Sequence, residues 1–180
     1  MRLYVDSSVI RGCCDPEFER WSWSLLQDFR SGLYKPIIST LVQAELAEAP
    51  ADVAEARAAL LESQPKIIEV TDKVQALADV YMDRKIVCAA HRNDALHVAL
   101  ATLEEADVLV SWNYRNILHL TKLRQFITAN LELGLKPLQI RSPRVVASYY
   151  IMDPEPSLRG NGDFNTSLKT RPKAGSSKAR

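Results

Sequence analysis

Short apolar runs alternate along the chain with longer stretches whose apolar residues recur every three or four positions. The short runs predict strands at Leu3-Tyr4-Val5, Pro36-Ile37-Ile38-Ser39, Ile67-Ile68-Glu69-Val70, Asp107-Val108-Leu109-Val110-Ser111 and Leu138-Gln139-Ile140. The unbroken Val108-Leu109-Val110 suits a strand buried on both faces. Over residues 16–31, Phe18, Trp21, Leu25, Leu26 and Phe29 fall at helical spacing. Asp15 is the expected N-cap there, Pro16 the first helical residue and Gly32 the stop. Trp21 joins the core stripe of this helix, and Trp23 is expected on the exposed side.

Further helices are predicted over about 41–47, ended by Ala49-Pro50, and over 52–63, stopped before Pro65. Others run from Thr71 or Asp72 to about Asp83, from Asn93 or Asp94 to about Glu104, and over about 121–133, ending at Gly134. Strands separated by amphipathic helices imply an α/β fold with a mostly parallel sheet of about five strands.

The chain has 180 residues, room for one core, and its apolar content of 47% excludes global disorder. A domain over residues 1–150 and a tail over 151–180 are expected, because Pro, Gly, Ser, Asn and Lys replace the apolar pattern there. From residue 154 on, six Lys or Arg face two acids; with a whole-chain charge of +1, the body is mildly acidic and the tail basic. The tail is expected to be disordered or loosely packed. Three cysteines with no secretory leader argue against a disulfide framework. No apolar run reaches the length of a membrane span. A soluble cytoplasmic protein is the expectation.

In open parallel sheets, ligands gather beyond the carboxyl ends of the strands. Asp6-Ser7-Ser8 follows the first strand and Ser111-Trp112-Asn113 closes the fourth. Glu45 and Asp94 sit on helices that the same topology can bring to that edge. Oxygen ligands without Cys or His favour a hard cation, Mg²⁺ or Mn²⁺. Such an ion activates water in phosphodiester cleavage. Asp6, Glu45 and Asp94 are the candidate metal ligands and catalytic acids, with Asn113 assisting through its carbonyl. Ser7 and Ser111 are candidates for orienting the acids. His97, three residues after Asp94, reads more readily as a packed histidine than as a functional one. Asp107 opens a strand at the opposite edge, so it reads as a loop or cap residue. No Gly-rich phosphate loop or nucleophile elbow is present, which weakens nucleotide-binding and serine-hydrolase readings.

Taken in order, these motifs resemble the PIN domain family, and within it the VapC-type toxin ribonucleases. Tyr4-Val5-Asp6-Ser7-Ser8 is similar to the opening motif, Glu45 to the second acid and Asn93-Asp94-Ala95 to the third. Ser111-Trp112-Asn113 is similar to the last motif, with Asn where the family commonly carries Asp. The resemblance spans about residues 1–145. It implies a three-layer α/β/α sandwich, a Mg²⁺- or Mn²⁺-dependent endoribonuclease acting on RNA, a small antitoxin protein as partner, and a homodimer. Asn113 lacks the charge of Asp, so it implies weaker binding of a second metal. Two rival functions share the fold: a non-catalytic RNA- or protein-binding module, and an RNA-processing nuclease without toxicity.

Overall fold

Chains that return every strand in the same direction need a helix to cover each crossover. Here all five strands run parallel. The computed structural model describes residues 1–148. The strands are β1 (Arg2–Val5), β2 (Lys35–Ser39), β3 (Lys66–Ile68), β4 (Val108–Val110) and β5 (Gln139–Arg141), and the sheet order is β3-β2-β1-β4-β5. The helices are α1 (Ser7–Arg11), α2 (Glu19–Arg30), α3 (Thr40–Ala47), α4 (Ala54–Glu62), α5 (Asp72–Asp83), α6 (Arg92–Leu103), α7 (Leu120–Glu132) and α8 (Pro143–Val146). The five predicted strands are all present. The expected boundary near residue 150 and the basic tail lie outside the described residues.

Register is set by burial. Leu3, Tyr4 and Val5 pair with Val108, Leu109 and Val110, and five of these six residues are fully buried. A strand buried on both faces has no polar side to slip onto. At the far edge of the pair, Asp107 Oδ2 accepts the Arg2 backbone N–H at 2.6 Å. That contact gives Asp107 the structural part expected of it, away from the carboxyl ends.

Parallel crossovers are right-handed. The chain steps from β1 to β2 to β3 in one direction and then reverses across β1 to reach β4. The reversal puts α2 and α4 together on one face and α5, α6 and α7 on the other. On the second face Tyr81 of α5 meets Phe126 of α7 edge-on at 5.0 Å, and its hydroxyl donates to Asn130 Oδ1 at 2.5 Å. Every residue of α6 from Ala95 to Thr102 is buried. A helix apolar on nearly all sides belongs inside the molecule, and α6 is the rod against which the site is built.

Two local expectations need correction, and two short helices were not foreseen. The helix predicted from residue 16 starts at Glu19, because Asp15 instead closes a turn, accepting the Glu17 N–H on Oδ1 and the Phe18 N–H on its carbonyl. Trp23 is partly buried, not exposed, and its Nε1 donates to the Cys13 carbonyl at 3.1 Å. The helices α1 and α8, of five and four residues, are too short for an apolar period to reveal them. Among the described residues no helix is long and apolar enough to cross a membrane.

Cys13 is buried and Cys14 and Cys88 are exposed. Burial pushes the Cys13 thiol up to about 12, and the thiolate is the reactive form. In the native protein iodoacetamide should therefore modify Cys88 and Cys14 but spare Cys13, while unfolded protein reacts at all three. Peptide mass spectrometry reads the difference, and equal native labelling of Cys13 would contradict this packing.

Candidate active site

The reversal of strand order puts the switch point of the sheet at the carboxyl ends of β1 and β4, the place where open α/β sheets bind ligands. Asp6 leaves β1 there and caps α1, accepting the Ser8 N–H on Oδ1 at 2.5 Å. Its Oδ2 accepts the Ser111 hydroxyl from the end of β4. Ser111 Oγ also accepts the Asn113 N–H at 2.9 Å, and Ser8 Oγ accepts the Trp112 N–H at 2.9 Å. The first and last motifs are thus laced together, with Asp6 only 3% exposed.

Glu45 comes from α3, which Ser39 caps at the end of β2 by accepting the Val42 N–H. Its Oε1 accepts Asn93 Nδ2 at 2.9 Å. Its Oε2 takes the Ser7 hydroxyl at 2.5 Å and His97 Nε2 at 3.1 Å. Burial opposes its ionisation, but the bond and charge of His97, with the bonds from Ser7 and Asn93, outweigh burial and bring the carboxyl down to about 2.

Asp94 opens α6. Its Oδ1 accepts Asn113 Nδ2 at 2.9 Å and its Oδ2 accepts Asn116 Nδ2 at 2.7 Å. Burial raises its pKa, against the Asn116 bond, and the charge of Asp6 adds to the rise. The three acids all act on the His97 ring: its own pKa is held down by burial but raised overall by the Glu45 bond and the charges of Asp6, Glu45 and Asp94. Ser111 and Asn113 link Asp6 to Asp94, and Asn93, beside Asp94, holds Glu45. As they stand, no three His, Cys, Asp or Glu side chains among the described residues are grouped to grip one ion.

Asn113 differs from the expectation that its carbonyl faces the site. The Asn116 backbone N–H can only donate, so the atom it meets at 2.9 Å must be Asn113 Oδ1. The amide nitrogen is thereby turned to Asp94. An Asp here would place a carboxylate against Asp94; Asn places a donor.

Several partners were not visible in the sequence. Asn116 is 6% exposed and also accepts Lys122 Nζ at 2.9 Å on Oδ1. Its offset of three from Asn113 was the available signal, since a turn brings such positions together. Asn93, read only as a helix opener, serves Glu45. Arg92, next to Asn93, pairs with Asp79.

Trp112 anchors the last motif. It is 7% exposed, its Nε1 donates to Ser22 Oγ at 2.9 Å, and its ring stacks on Phe18 with centroids 4.5 Å apart. Gly12 makes room for this: a Cβ there would lie 2.7 Å from Ser22 Oγ and 2.8 Å from Trp112 Nε1. Gly12→Ala should cost about 1–3 kcal/mol, the range for overpacking a filled core, and alter the near-UV dichroism of the tryptophans. Denaturant unfolding checks this, and an unchanged stability would contradict the close packing.

The depressed Glu45 pKa carries a sign. The stabilisation it contributes is complete above its ordinary value of 4.5 and is lost as pH falls toward about 2. Glu45→Gln should flatten the acid limb of the stability curve between those values. Thermal melts across that range measure it, and parallel curves for the two proteins would contradict the assignment.

No protein-family model matches the chain, and no curated protein is similar to it in sequence. Solved structures do match. A chain of a toxin–antitoxin complex from Klebsiella pneumoniae aligns with a TM-score of 0.50 at 15% identity, over 67% of this chain and 93% of that one. A chain of VapBC-1 from nontypeable Haemophilus influenzae aligns with a TM-score of 0.50 at 15% identity, over 80% of this chain and 99% of that one. At this identity the likeness is one of fold. Five parallel strands ordered about a central β1, flanked by helices on both faces, form an α/β fold that the chain shares with these two structures.

Proposed function

We propose that the chain is a divalent-metal-dependent endoribonuclease and the toxin of a toxin–antitoxin pair. The observation that carries this reading is the hydrogen-bond network that joins the three acids: Ser111 and Asn113 link Asp6 to Asp94, and Ser7 and Asn93, their chain neighbours, hold Glu45. The fold shared with toxin–antitoxin structures supports it.

The donor set fits Mg²⁺ or Mn²⁺: it is all oxygen, and the burial-raised Asp94 is the kind of crowded carboxylate that a cation relieves. Mg²⁺ commonly keeps several waters and takes only one or two carboxylates directly, so acids that do not yet grip one ion still suit it. Bound there, the ion would lower the pKa of a water for attack on a phosphodiester and stabilise the leaving oxygen.

The protein's own part is to hold the acids. Ser111 and the Ser8 N–H fix Asp6. Ser7, Asn93 and His97 fix Glu45. Asn113 and Asn116 fix Asp94 through donated hydrogen bonds, which keep its two oxygens oriented without adding charge. No side chain needs to attack the phosphate, because water does. An antitoxin covering the site and a second copy of the chain are the partners of this reading, and RNA is its substrate. The basic residues beyond 154 would add phosphate contacts that weaken with salt.

One observation favours a second reading. The acids are not drawn together, as expected of a PIN-like module that binds RNA or protein without cutting. Incubation of a structured RNA mixture with purified protein separates the two. The nuclease reading predicts cleavage with Mn²⁺, none with EDTA, and background levels for Asp6→Asn and Asp94→Asn in protein that still folds. Full cleavage by both variants, or none by the antitoxin-free parent across several RNAs, would overturn it.

A further inference from the structure

His97 lies in the middle of α6, 3% exposed, yet both ring nitrogens are engaged. Nε2 is 3.1 Å from Glu45 Oε2 and Nδ1 is 2.9 Å from the Tyr4 hydroxyl. The Tyr4 oxygen is 2.8 Å from Ser39 Oγ, which accepts the Val42 N–H at 3.3 Å. Ser39 is the N-cap of α3, and α3 carries Glu45. The path leaves the start of that helix, crosses β1 and α6, and returns to the helix at its acid.

While the imidazole is neutral, the two ends set the direction of the path. A backbone N–H can only donate, and an ionised carboxylate can only accept. Ser39 accepts from Val42 and gives its own hydrogen to Tyr4. Tyr4 gives its hydrogen to Nδ1, and the remaining ring hydrogen, on Nε2, goes to Glu45. Burial holds the Tyr4 phenol well above its ordinary range, so it keeps that hydrogen. Every donor and acceptor is used with a neutral imidazole. If Nδ1 gains a proton, the two hydroxyls turn the other way and Nε2–H still faces Glu45. The contact with the acid therefore does not depend on the charge of the ring.

A buried histidine with two partners can be an ordinary satisfied core residue. Two features argue for more. The partner on the site side is a half-buried carboxylate. The other groups on that carboxylate, Ser7 and Asn93, come from α1 and the exposed end of α6, whereas His97 reaches it from the buried middle of α6, the most enclosed helix. We propose that Ser39, Tyr4 and His97 form a hydrogen-bond relay that positions Glu45 for divalent-cation binding. His97 is a positioning residue in it and touches neither RNA nor ion. The role rests on the reading of Glu45 as a metal-holding acid and names what holds it in place.

The test is Mn²⁺ binding to the full chain, read from loss of the free-Mn²⁺ paramagnetic resonance signal. Circular dichroism checks that each variant is folded. The parent should bind and Glu45→Gln should bind poorly. Tyr4→Phe and His97→Leu should weaken binding roughly 10- to 100-fold, the usual effect of losing a group that orients a ligand. His97→Gln, whose amide N–H can still reach Glu45, should recover most of it. A merely structural histidine would shift melting temperature without this pattern. Parent-like affinity in folded Tyr4→Phe and His97→Leu, with Glu45→Gln impaired, would overturn the relay and leave the metal site standing. A parent that binds no Mn²⁺ would overturn the metal reading and the relay together. Should His97→Leu fail to fold, Tyr4→Phe decides, because it keeps the ring. Independently of metal, ¹⁵N resonance of labelled histidine should find a hydrogen on His97 Nε2 at neutral pH, and a bare Nε2 would overturn the proposal.

Discussion

Carboxylates brought to one edge of a sheet repel one another, and half-buried ones also lose solvation. The architecture around the site answers that constraint with donors. Asp6 has a backbone N–H and a serine, Glu45 a serine, an asparagine and a histidine, and Asp94 two asparagines. Among the described residues no buried side-chain nitrogen or oxygen is left without a partner. All of these donors but His97 are neutral, and they orient the acids without neutralising them. Net negative charge therefore remains at the site, the condition under which a cation is drawn in.

The reversal of strand order makes this arrangement possible. It puts the switch point beside β1, and it sends α6 through the interior of the second face. Because α6 is enclosed almost completely, residues on it are held rigidly. Asn93, Asp94 and His97 are thereby fixed relative to acids that come from β1 and α3. Trp112, wedged between Ser22 and Phe18 above Gly12, does the same for the last motif.

The strands could be read from the sequence because each is a short apolar run ended by a polar residue, a pattern that burial makes obligatory in β1, β2 and β4 but not in the edge strands β3 and β5. Most helices were legible for the same reason. The start of α2 was not, since Asp15-Pro16-Glu17 serves a turn as well as it serves a cap. Asp6, Glu45 and Asp94 stood out because they fall at a strand end, on a short helix and at the start of a helix, as the PIN resemblance implies. Their partners did not stand out. Tyr4 and His97 look like core residues along the chain, and the bond between them joins β1 to α6. The direction of the Asn113 amide depends on the backbone of Asn116, which no residue-type pattern encodes.

The central claim is that Asp6, Glu45 and Asp94 form one cation site. Its most direct test is a crystal of the antitoxin-free protein soaked in Mn²⁺ and measured at the manganese absorption edge. The account predicts an anomalous peak at the carboxyl ends of β1 and β4, bound by oxygens of at least two of these acids, with the Asn113 amide nitrogen still on Asp94. No peak there at saturating Mn²⁺, or a peak only at a site without these acids, would contradict it.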